Sequence, residues 1–121
     1  MKYHQVTQTA LSDEALKEAY ANAHVIGSLR IGDAALFFRA GMKTYYIPYS
    51  DVTRCFRRVQ LVPARMCCGR GDLAVENLVI CSGETELAQI ALPGEKAGKA
   101  ALEELKKRIP QALFTAPITK P

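Results

Sequence analysis

Apolar positions run first at helical spacing, then in alternation, then at helical spacing again. Ala15, Leu16, Ala19 and Tyr20 fall on one helical face. Leu11-Ser12-Asp13-Glu14 ahead of them offers a capping side chain, with early acids that suit the positive end of the dipole. This predicts a helix over 11–22, too short to stand alone and therefore docked on something. From His24 the period becomes two. Val25, Gly27, Leu29 and Ile31 alternate with Ile26, Ser28 and Arg30. Ile31-Gly32-Asp33 reads as a tight turn. A strand over 34–39 follows, carrying Leu36, Phe37 and Phe38. After the turn Ala40-Gly41-Met42-Lys43, a β-branched and aromatic strand runs over 44–47 until Pro48 ends it. Successive hairpins of this kind make an antiparallel meander.

Val52 to Val62 reads as a long strand with a conflict inside it. Cys55, Val59 and Leu61 share one alternation, and Arg57 shares it with them. To keep every apolar residue inside, the strand needs an extra residue near Arg57 and Arg58, which a β-bulge would supply. Pro63 to Leu73 is irregular, with a short strand at 64–68 and a loop at Gly69-Arg70-Gly71-Asp72. Strands follow over 74–81 and 85–92, joined at Ser82-Gly83-Glu84. Then Ala97, Ala101, Leu102, Leu105 and Ile109 define one face of a helix over 95–109, with Glu103, Glu104, Lys106 and Lys107 on the other. Pro110 stops it. The N-terminal end around His4 and the tail 111–121 read as flexible.

A small sheet of this length cannot cover both its faces; it must curl, and its open end needs a lid. The expected architecture is mainly β with α. A partly open antiparallel barrel of six or seven strands over 24–92 is capped by the C-terminal amphipathic helix, with a short N-terminal helix outside it. At 121 residues the chain is read as a single domain over 1–121.

Charge adds an asymmetry. The net charge is +4, but residues 30–70 hold Arg30, Arg39, Lys43, Arg54, Arg57, Arg58, Arg65 and Arg70 against only Asp33 and Asp51. Two readings follow: a solvated strand face with internal ion pairs, or a surface for anions or an acidic partner. Cys55, Cys67, Cys68 and Cys81 come without an apolar leader at the N-terminus, which points to a reducing cytoplasm and free thiols. The adjacent Cys67-Cys68 lacks metal-site spacing, so no metal and no cofactor is expected. Neither a glycine-rich phosphate loop before a helix nor a Gly-x-Ser-x-Gly elbow occurs. Tyr45, Tyr46, Tyr49 and Phe56 interleave with the arginines, but they fit core and corner positions, and no nucleic-acid partner is expected.

The stretch Ile26-Gly27-Ser28-Leu29-Arg30-Ile31-Gly32-Asp33-Ala34-Ala35-Leu36-Phe37, then Tyr46-Ile47-Pro48-Tyr49-Ser50-Asp51-Val52, then the terminal helix, resembles the pleckstrin-homology-like superfamily, in particular its small bacterial members. Arg57-Arg58-Val59 with Ala64-Arg65-Met66-Cys67-Cys68-Gly69 resembles a group of such proteins from Gram-positive bacteria. The resemblance covers residues 24–109. It implies a fold more than a function. Lipid-binding members hold inositol phosphates with basic residues at and after the first strand-to-strand loop. Read here as Ile31-Gly32-Asp33-Ala34, that loop is short and acidic, which argues against phosphoinositides. Other members dock a peptide as a strand added beside the terminal helix.

The functional expectation is a non-catalytic binding module of the bacterial cytoplasm, docking a protein or peptide segment or an acidic partner. Arg54, Arg57, Arg58, Arg65 and Arg70 are its candidate contacts, with Arg57 structural if it points inward. Two other classes stay open. One is a thiol enzyme or redox sensor at Cys67 and Cys68, activated by Arg65 and Arg70. The other is recruitment to an anionic membrane surface. A sheet edge is the route to a homo-oligomer, with Pro48 and Pro63 as guards.

Overall fold

A computed structural model describes residues 3–63 and 72–115. The elements are β1 (Tyr3–Gln5), α1 (Asp13–Ala21), β2 (His24–Ile26), β3 (Leu29–Ile31), β4 (Ala35–Ala40), β5 (Lys43–Pro48), a 3-10 turn (Tyr49–Asp51), β6 (Arg54–Pro63), β7 (Asp72–Ser82), β8 (Thr85–Leu92) and α2 (Glu95–Arg108). The fold is mainly β with two helices. The strands form two sheets, ordered β1-β5-β4-β3-β2 and β6-β7-β8, and neither closes into a barrel.

The break between the sheets has a local cause. Pro48 offers no N–H, and the 3-10 turn that follows carries the chain off the first sheet. Tyr49 turns inward there, and its hydroxyl donates to the Gly32 carbonyl at 2.6 Å. The main core lies between the sheets. Leu29, Ile31, Leu36 and Ile47 meet Cys55, Leu78, Ile80 and Ile90 across it. α2 covers this core from one side with Ala101, Leu105 and Ile109, touching both sheets. Its C-terminal end is tied to the β3–β4 turn, where Arg108 donates to the Gly32 carbonyl at 3.1 Å and to Asp33 at 2.7 Å.

α1 starts as the sequence suggests, with the Ser12 hydroxyl accepting from the Ala15 N–H. It docks on the opposite face of the first sheet, where Leu16 and Ala19 pack on Ala35, Phe37 and Tyr46.

Four expectations are corrected. The strand read over 24–31 is a hairpin, β2 against β3, because Gly27 adopts φ 58° and turns the chain with Ser28. The N-terminal end is not flexible at His4: Tyr3–Gln5 pairs in parallel with β5, so the meander is not purely antiparallel. Three residues are too few to show a period; Tyr3 is held by ring contacts with Tyr20 and Phe37 at 5.3 and 5.4 Å. Thr7 and Thr9 then donate to Asp51 and pin the chain after β1.

The bulge expected near Arg57 and Arg58 is absent. β6 pairs with β7 in unbroken register from Arg54 to Pro63, and the shift lies between Ile80 and Cys81, in the pairing with β8. Arg57 faces inward because Glu76 receives it there. Val59 and Leu61 lie on the same face but run past the core, 52% and 65% exposed. Pairing of β7 with β8 stops at Glu76 opposite Leu92. Beyond that point β6 and β7 continue as a two-stranded arm. The strand expected over 64–68 and nearly all of the loop after it lie outside the described residues.

Candidate functional site

The arginines singled out in the sequence do not form one face. Arg54 and Arg58 lie on the outer face of the second sheet, and Arg57 lies on the inner face. Arg65 and Arg70 lie outside the described residues. Arg54 donates to the Thr115 carbonyl. Arg58 spans Glu86 at 3.0 Å and Gln89 at 2.7 Å, with its guanidinium 5.5 Å from the centre of the Phe56 ring. Under it Phe56, Val79 and Cys81 form a small buried cluster. Arg57 forks onto Glu76, with Nη2 3.1 Å from Oε1 and Nε on Oε2. Glu95, at the first turn of α2, stands 3.8 Å from the same guanidinium. The hydrogen bond that Arg57 donates to Glu76 raises the Arg57 pKa further, so the charge there is permanent. Glu95 is held below the usual carboxylate range by its hydrogen bond and charge pairing with Lys99, and then by Arg57.

These pairs favour the reading of arginines balanced from within at Arg57 and Arg58. They also shape what is left open. Arg57, Val59, Ala74, Glu76, Gly94 and Glu95 line a pocket of about 260 Å³ between the start of α2 and the arm. β6 contributes Arg57 and Val59 to it, and β6 is an edge strand of its sheet. At the lower end of that edge Cys55 N–H donates to the Leu113 carbonyl at 2.8 Å, and Leu113 N–H donates to Thr53 at 2.9 Å. The tail thus adds one strand residue, in parallel, opposite Arg54. Backbone groups alternate sides along a strand. With no register shift in β6, the N–H groups of Arg57, Val59 and Leu61 point to the same edge as that of Cys55. Among the described residues nothing pairs with them.

A second concavity, of about 230 Å³, opens on the other side of the molecule. Tyr20, Ser28, Arg30, Phe37, Arg39 and Thr44 are among its walls. Arg30 follows the β2–β3 turn, and its guanidinium lies 4.4 Å from the centre of the Tyr20 ring. Arg39 and Thr44 face each other across β4 and β5. The sequence placed Arg30 and Arg39 only as flanks of a loop. The β3–β4 hairpin sets them side by side, and the Gly27 turn, which the continuous alternation over 25–31 conceals, adds Ser28 to the same pocket.

Comparison with protein-family models, with curated proteins and with solved structures returns no match.

Of the cysteines, Cys67 and Cys68 lie outside the described residues. Cys55 and Cys81 are free and buried. Burial pushes the Cys55 thiol up to about 12, with Cys81 adding to it, so it stays protonated at neutral pH. Among the described residues no group of three His, Cys, Asp or Glu is placed to hold a metal ion. Among them, too, no helix is long and apolar enough to cross a membrane.

Proposed function

We propose that this protein is a non-catalytic binding module of pleckstrin-homology-like architecture, which docks an extended protein segment as an added strand on the edge of β6, beside α2. The architectural part is supported by element order. Four antiparallel strands, β2 to β5, are followed by three, β6 to β8, and then by a helix packed on both sheets. The docking part rests on one observation: the edge of β6 accepts a strand residue, Leu113, at its lower end, and among the described residues nothing pairs with it above that point. Main-chain bonds would supply affinity there. Val59 and Leu61, exposed next to that edge, would meet alternate apolar side chains of the incoming segment. Arg57 lines the same pocket with Glu76 and Glu95, so among the arginines of the described residues it is the one that would contact the segment.

The test uses Val59→Pro. The Val59 N–H points to the open edge, not to β7, so proline removes a docking donor while sparing the β6–β7 ladder. Peptides selected from a random phage library on the wild-type protein should lose roughly tenfold or more in affinity for the variant, the loss of one well-made charge-free bond plus the steric block of the ring. Selection of no peptide, or equal binding to Val59→Pro, would end this reading.

A further inference from the structure

Six arginines lie among the described residues, and four have an oxygen partner: Arg54 with Thr115, Arg57 with Glu76, Arg58 with Glu86, and Arg108 with Asp33. Arg30 and Arg39 have none among the described residues. Both line the same 230 Å³ pocket, on the α1 side of the first sheet. Ser28 and Thr44 add two hydroxyls, and among the described residues no carboxylate lines it. Tyr20 and Phe37 meet edge to face with centroids 5.2 Å apart and form an aromatic wall. Arg30 is held against that wall by the ring face of Tyr20, so it is positioned before any ligand arrives.

We infer that this pocket is a second docking point, for an acidic side chain of a partner protein. It goes beyond the strand-addition site and does not depend on it, since it lies on the other sheet. The occupant follows from charge complementarity and size. Two guanidiniums present donors in forks that match a carboxylate. A volume of about 230 Å³ falls short of the roughly 300 Å³ at which small-molecule sites begin, and suits one glutamate or aspartate side chain with its water. The hydroxyls of Ser28 and Thr44 give the remaining lone pairs of the carboxylate a donor each.

The measurement is an amide nitrogen–proton correlation NMR titration of the full chain with acetylated tetraglutamate. Tetraglutamine at matched ionic strength is the control. Saturable shifts should gather at Gly27–Arg30, Phe37–Arg39 and Thr44, and tetraglutamine should not produce them. Arg39 is exposed, and the Arg39→Gln spectrum itself reports whether the fold persists. In that variant the dissociation constant for tetraglutamate should rise roughly tenfold, the loss of one charge-assisted contact. Arg58→Gln, on the other sheet, should bind as the wild type does. Shifts centred on Arg54 and Arg58, equal response to tetraglutamine, no saturable response, or unchanged affinity in Arg39→Gln would each overturn the inference. Peptides captured through the β6 edge would be unaffected by any of these results.

Discussion

At the scale of single residues, the informative contact is between Glu76 and Gly98. A charged pair turned into the space under α2 needs room, and the helix supplies it by omitting a side chain. A β-carbon built on Gly98 would overlap the Glu76 carboxylate. Glycine normally costs a helix about 1 kcal/mol relative to alanine. Here Gly98→Ala should destabilise instead, by roughly 1–3 kcal/mol, as overpacking does. In a Glu76→Ala background the same substitution should become neutral or stabilising. Urea unfolding of the four variants decides it; an equal cost in both backgrounds would show that the carboxylate is not the obstacle. In the sequence, Arg57 was visible as a charged residue in an apolar phase, but its partner was not. Glu76 is nineteen residues away in the chain, and only the register of β6 on β7 sets the two on one face.

At the scale of elements, β6 shows how a correct strand was given the wrong shape. Its alternation is legible, and so is the phase that Arg57 shares with Cys55, Val59 and Leu61. A bulge would be needed only if Val59 and Leu61 had to be buried. They are not, because β8 stops at Leu92 while β6 and β7 continue. An isolated pair of strands is marginal in water. Hydrogen exchange should therefore divide β6 along its length. The amides of Phe56 and Gln60 both face β7. Gln60 should exchange faster by orders of magnitude, through local opening of the arm, whereas Phe56 should wait for a larger unfolding event. Equal protection would mean that the arm is as firmly held as the core. β8 was read over its full extent, Thr85 to Leu92, and the α2 face was read almost as well, since both have long unbroken patterns. β1 and the β2–β3 turn were missed because each is only two or three residues long.

At the scale of the whole molecule, two sheets that do not close are held together by α2 and by the corner at Tyr49. Arg108 is the clasp at the far end of the helix, reaching Gly32, Asp33 and Glu104. Arg108→Met should cost about 1–2 kcal/mol, because its half-buried guanidinium bonds a carbonyl inside the fold. Asp33→Asn should cost less than about 1 kcal/mol, since Asp33 is 77% exposed and its half of the pair is screened. Equal losses in thermal or urea unfolding would reduce the clasp to a surface ion pair.

The order of the longer elements, the amphipathic face of α2, the cap at the start of α1 and the phase that Arg57 shares with Cys55, Val59 and Leu61 were determined by the sequence alone. Each is a matter of spacing between near neighbours, and the chain carries that spacing in itself. The tertiary structure decided which sheet each strand joins, where the core ends along β6, and which carboxylates Arg57, Arg58 and Arg108 meet. Those depend on pairings between residues far apart in the chain, and no local period encodes a distance across a turn of the fold.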